Sequence, residues 1–173
     1  MHEILSERAV KMHKDYLNEL ILRRSIFEKS YPNGVTDSYI KASGLVRGER
    51  ERMRGLSNQI LAHQIFFDSF SANRYQHSDI VNKQYGDITH LLNEVFRLCM
   101  ASEGGFVYIG IERGRVEMCA CKEREKAPFE PILAVDICEH VYFLDYGFDK
   151  ERFLCRFLPY LSLSKIDQFY KSC

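Results

Sequence analysis

Pro131-Ile-Leu-Ala-Val-Asp136-Ile-Cys138-Glu139-His140-Val-Tyr-Phe143-Leu-Asp145-Tyr146 is the stretch whose reading decides the fold. Its first part, Ile132 to Ile137, is apolar except for one acid and has the character of a short buried strand. A carboxylate at the end of such a strand is costly to bury unless something neutralises it. His140 follows four residues later, with Glu139 beside it. If the chain turns into a helix after Asp136, the acid and the imidazole can face one point. An acid and an imidazole converging in an apolar shell point to a metal ion, a catalytic dyad or a structural hydrogen bond.

The longer pattern is more specific than the D-x-x-x-H pair. D-x-x-E-H-x-Y-x-x-D-Y resembles the C-terminal signature of the iron/manganese superoxide dismutases, in which the Asp and His are metal ligands. The family has Trp two residues after the Asp, where Cys138 stands here. The resemblance implies a helical N-terminal part, a C-terminal α/β part with a three-stranded antiparallel sheet, and one iron, or alternatively manganese, per chain.

Working back to the N-terminus, Ser6 is a good helix N-cap. Ala9, Val10, His13, Leu17, Leu20, Ile21 and Leu22 then recur at helical spacing. His13 lies in that stripe, and the residues alone read it as a core histidine with one partner. The resemblance reads it as a ligand, because the serine-to-histidine spacing from Ser6 to His13 matches the family's first metal-binding helix. A rival register aligns Tyr16 with the family's gateway Tyr and puts Arg8, which cannot ligate a metal, at the ligand position. In the preferred register the gateway His and Tyr become Leu17 and Ile21, so the expected entrance is apolar.

A second stripe, Leu56, Gln59, Ile60, His63, Phe66, Phe67 and Phe70, follows a charged helix start from about Ser43. Gln59 and His63 stand one turn apart on the same face. By resemblance His63 is the second His ligand, and Gln59 is the outer-sphere Gln that iron-type members use to hydrogen-bond solvent at the metal. The Tyr31–Ser38 segment, with its Pro-Asn-Gly, reads as a connector between the two helices.

Beyond it the alternation of elements reads as α+β. Ile80 to Met100 suggests a helix, broken or kinked near Gly86. Phe106 to Ile111 and Val116 to Cys121 suggest a hairpin around Arg113-Gly114-Arg115, and Ile132 to Ile137 a third strand. A last helix runs from Asp149 to Pro159, followed by a short tail. The expected parts are residues 1–75, a helical hairpin, and residues 76–173, an α/β lobe. The site would join them through His13 and His63 from one and Asp136 and His140 from the other.

Composition narrows the function classes. Hydrophobic content of 46%, with 12 Phe and 10 Tyr, suffices for a packed core. Lys+Arg and Asp+Glu both total 24, which gives no pointer to nucleic acid. No apolar run approaches the roughly 20 residues of a membrane span, and the polar N-terminus does not suggest a signal peptide. The six Cys read as free thiols in the cytoplasm. Cys119 and Cys121 would share one face of a strand. The resemblance further implies superoxide as substrate, and a homodimer in which Glu139 reaches the ligand His of the partner. Phe143 takes the place of a family Tyr near the site. The alternative is a superoxide dismutase-fold protein, metal-binding or metal-free, with a structural or interaction role.

Overall fold

The strands read around Asp136 and Phe106 form one antiparallel sheet in the order β2-β1-β3. In this computed structural model, which describes residues 4–30 and 46–172, they are β1 (Phe106–Glu112), β2 (Arg115–Cys121) and β3 (Pro131–Asp136). Arg113 and Gly114 both have positive φ, 52° and 74°, and make the two-residue turn joining β1 to β2. Phe106 pairs with Cys121 on one side and with Asp136 on the other, so the three side chains share one face of the sheet. The strand is entered through Gly105, at φ 95°, where a Cβ would meet the Cys121 carbonyl oxygen at 2.2 Å. Only glycine fits that approach.

Two long helices precede the sheet: α1 (Glu7–Ser30) and α2 (Val46–Asp68). The connector expected at Tyr31–Ser38 lies outside the described residues. Ser6 caps α1 by accepting the Ala9 amide at 3.2 Å, and its own amide donates to Asp145 Oδ2 at 2.7 Å. The start of α1 is thereby tied to the segment carrying His140. Buried Ala9, Val10 and Leu20 on α1, and Ile60, Ala62 and Phe66 on α2, supply the facing apolar stripes.

The helix expected over Ile80–Met100, broken or kinked near Gly86, is broken there into α3 (Asp79–Tyr85) and α4 (Ile88–Ala101). Gly86, at φ 85°, ends the first by donating its amide to Asn82 O. Asp87 opens the second by accepting the His90 amide at 2.9 Å. A glycine stop followed at once by an N-cap outweighs the apolar periodicity running through both. After β3 come α5 (Glu139–Tyr146), α6 (Lys150–Phe157), a 3-10 turn at Leu158–Tyr160 and α7 (Ser164–Ser172). The last stretch, expected to be a short tail, is therefore a helix. Its Ile166 is fully buried, and its Asp167 accepts from Ser78 Oγ and from the Asp79 and Ile80 amides at 3.0–3.1 Å. That carboxylate caps α3 and pins α7 to the body of the protein.

The fold is α+β, a helical N-terminal part followed by an α/β part built on the three-stranded sheet. The core lies between α1, α2, the sheet and α4 to α7. No described helix is long and apolar enough to cross a membrane.

Ser69, just past α2 and fully buried, sets the height of β3 against that helix. Its hydroxyl accepts the Ala134 amide at 2.8 Å and donates to Ile65 O at 2.7 Å. In Ser69→Ala the strand amide loses its partner, and urea unfolding should show a loss of about 1–3 kcal/mol. A loss below about 0.5 kcal/mol would mean that Ser69 does not hold the strand.

Candidate metal centre

Three secondary-structure elements and one strand end deliver four donor side chains to a single point. His13 comes from α1 and His63 from α2. Asp136 is the last residue of β3, and His140 is the second residue of α5. Asp136 thus stays on the strand, and the helix begins three residues later, a turn that aims the His140 ring back at the acid. One ligand atom from each residue can be chosen so that all four lie within 4.8 Å of one another. Asp136 Oδ2 is 3.2 Å from His13 Nε2, 3.6 Å from His63 Nε2 and 3.5 Å from His140 Nε2. The His63 and His140 Nε2 atoms are 3.5 Å apart.

These atoms crowd together without bonding one another well. Both ring nitrogens of His13 and the Asp136 Oδ2 are buried and have no partner of hydrogen-bond geometry. The His13–Asp136 pair is close enough for an ion pair at 3.2 Å. Asp136 Oδ1 is satisfied separately, by the Cys138 amide at 2.9 Å. His63 Nδ1 lies 2.7 Å from the Gln59 carbonyl oxygen, which cannot donate, so Nδ1 carries the proton. Its Nε2 then turns a lone pair towards the cluster.

Buried, unpartnered donors gathered at one place fit a cation-binding centre. Two donors each about 2.1 Å from a first-row ion stand about 3.0–3.6 Å apart for angles of about 90–120°. The spacing of the Asp136 oxygen from the three imidazoles falls in that range. Three imidazoles and a carboxylate also suit iron or manganese. The residues present fit the group.

The surroundings favour a charge-balanced centre. His13, His63 and Asp136 side chains have 0% exposure, and the His140 side chain has 29%. The cluster therefore opens to solvent past His140. Burial opposes ionisation of Asp136, yet the imidazoles of His13 and His140 outweigh it and hold the carboxyl well below the usual carboxylate range. Burial lowers the pKa of His63. Burial also works on His140, but there Asp136, and then Glu123, prevail and raise it. The wall is aromatic: Phe66, Phe67 and Phe106 rings stand 4.8–5.1 Å from the imidazoles of His13 or His63.

Gln59 is buried, at 3% exposure, one turn before His63. The contact it is seen to make with His63 is through its backbone carbonyl. Glu139 is exposed at the first turn of α5. Cys119 and Cys121 do share a face, with their sulfurs 3.7 Å apart.

The expected apolar entrance is corrected. Ile21 is 42% exposed on the outer side of α1. The residue over the cluster is Tyr16, whose ring lies 4.8 Å from that of His140 and 5.4 Å from that of His63. Its hydroxyl donates to Glu123 Oε1 at 3.0 Å. Burial, and then Glu123, push the phenol up to about 12, so it is neutral at ordinary pH. Tyr16 stands three residues after His13, on the same helix face, and that spacing is the signal that could have found it. Glu123 sits 107 positions away in a polar loop, where no local pattern marks it.

The sequence profile of the iron/manganese superoxide dismutases, C-terminal domain, matches residues 73–169, which include β1 to β3, Asp136 and His140. A match over more than half of the chain, on the fold and cluster just described, places this protein in the iron/manganese superoxide dismutase family.

Proposed function

We propose that the protein is a metal-dependent superoxide dismutase in which His13, His63, Asp136 and His140 hold one iron ion, or alternatively manganese, per chain. The observation that carries this reading is the convergence of four donor side chains within 4.8 Å of one another, with the His13 nitrogens and Asp136 Oδ2 buried and unpartnered. Bound there, the ion would supply a one-electron couple through which two superoxide ions and two protons become dioxygen and hydrogen peroxide. The chain's own residues have the remaining tasks. Asp136 supplies the negative charge that offsets the ion, and the aromatic wall keeps bulk water from the inner three ligands. Gln59 is assigned to the outer sphere, where an amide bonding solvent at the centre tunes the reduction potential. Tyr16 covers the opening with a neutral phenol anchored on Glu123.

Glu139 is assigned to a homodimer, reaching the His140 of the second copy across a two-fold axis. Its exposure beside His140 supports this, as do the exposed rings of Phe143 and Phe148, which pack on each other at 5.1 Å. The second reading, a metal-binding relative without dismutase activity, is favoured by Leu17 and Ile21, which leave the family's gateway His and Tyr unreplaced at their own positions.

Protein expressed with added iron and manganese should carry about one such ion per chain, and His63→Ala and Asp136→Ala should retain none after dialysis against metal-free buffer. Chelation should lower the melting temperature of the wild type and leave that of His63→Ala unchanged. Absence of stoichiometric metal in the wild type sinks the ligand assignment. In a superoxide assay the loaded protein should be active, and Gln59→Ala should keep its metal while losing roughly tenfold or more in rate. A loaded but inactive wild type selects the second reading. Sedimentation should show a dimer, converted to monomer by Phe148→Glu; a wild-type monomer would remove the role given to Glu139.

A further inference from the structure

A second group of donors lies against the first and shares His140 with it. Glu123, Cys138 and His140 offer ligand atoms within 4.8 Å of one another, and all three residues are partly exposed. The inner cluster has no comparable access, since three of its four side chains have 0% exposure. Of the four inner side chains, His140 is the one that reaches solvent.

We propose that Glu123, Cys138 and His140 form an outer loading site, which takes a divalent first-row cation from solvent and passes it on the His140 ring to the buried cluster. This rests on the reading of the inner cluster as a metal centre. A carboxylate, a thiol and an imidazole are a borderline donor set suited to such ions. On binding, the Cys138 thiol gives its proton to solvent and the thiolate bonds the cation. Cys138 is held in place by its amide on Asp136 Oδ1 and by the Gly105 amide donating to its sulfur at 3.2 Å. Tyr16 engages Glu123 through Oε1. The adjoining surface pocket is lined by Glu103, Glu123 and Glu125 against one cation, Lys122. Three carboxylates there raise the local concentration of cations. Asp136, Cys138 and His140 alternate along one short segment, so the outer and inner positions are neighbours on the same stretch of backbone. The inner position offers four donors against three, which drives the transfer inward.

Cobalt(II) added to the metal-free full-length protein tests this by stopped-flow absorption. Wild type should show a transient thiolate-to-cobalt charge-transfer band that decays as the final spectrum forms. Glu123→Gln and Cys138→Ser should fill the same single site per chain roughly tenfold more slowly, and Cys138→Ser should lack the transient. In His63→Ala the thiolate band should persist, because the ion stays outside. Uptake within twofold of wild type in both variants, or no thiolate band in either wild type or His63→Ala, overturns the loading site and leaves the inner centre standing. No cobalt uptake by wild type overturns both.

Discussion

The burial of Asp136 is the constraint on which the rest of the structure depends. A lone carboxylate at 0% exposure carries a desolvation penalty on the order of several kcal/mol. The fold surrounds one of its oxygens with three imidazoles rather than with an arginine or a set of amides. Neutral imidazoles turning lone pairs towards a carboxylate do not stabilise it. His63 is fixed in that orientation by the Gln59 carbonyl, and burial favours its neutral form. Positive charge must therefore come from a proton on a neighbouring ring or from a cation at the centre. His140, whose pKa Asp136 raises and which has solvent access, is a place where a proton can balance the charge until a cation does.

This arrangement explains why the helical part and the sheet are tied together so closely at one end. Ser69 fixes β3 against the end of α2. Asp145 and Tyr146 fix α5 against the start of α1, through the Ser6 amide and the Ile4 carbonyl. Asn58 donates to the Arg124 carbonyl at 2.9 Å and so anchors the loop that carries Glu123. Each tie holds an element that bears one of the converging side chains or a neighbour of them. Donors spread over four elements meet within a few ångströms only if the elements are fixed to that tolerance.

Much of this was legible in the sequence, for reasons that differ from residue to residue. Asp136 and His140 are close along the chain, and a strand-to-helix turn brings them together by local geometry. His13 and His63 could be placed in core-facing stripes by periodicity, but their meeting depends on helix packing, and resemblance rather than spacing paired them. Gly86 marked a break or a kink without deciding between them: the periodicity of two short helices and that of one kinked helix are alike, and only the positive-φ glycine stop followed by the Asp87 cap separates them. The last helix was missed because its first turn is stabilised from a distance, by the capping role of Asp167 for α3 and the burial of Ile166. Tyr16 was passed over for the opposite reason. Alignment to a gateway one and two turns beyond His13 drew notice to Leu17 and Ile21, while the three-residue spacing that places a side chain over the same helix face pointed to the tyrosine.

The substitution at Cys138 and the contact between Tyr16 and Glu123 change the same side of the centre. Where the family's pattern has Trp, Cys138 sets a thiol close to His140, and the β2–β3 loop brings the Glu123 carboxylate towards it. The phenol then covers the opening from the helical side, joined to that carboxylate across the boundary between the two parts of the chain. A negative group here acts in two opposed ways: it attracts the cation that must get in, and it disfavours a small anion approaching by the same path. Donation from Tyr16 to Glu123 spreads part of that charge over a hydrogen bond and moderates both effects without cancelling either. The inner donors resemble a dismutase centre, and the mouth beside them is formed by Tyr16, Glu123 and Cys138. On the proposed loading route, the balance between metal capture and anion access would be set at Glu123 rather than at the four ligands.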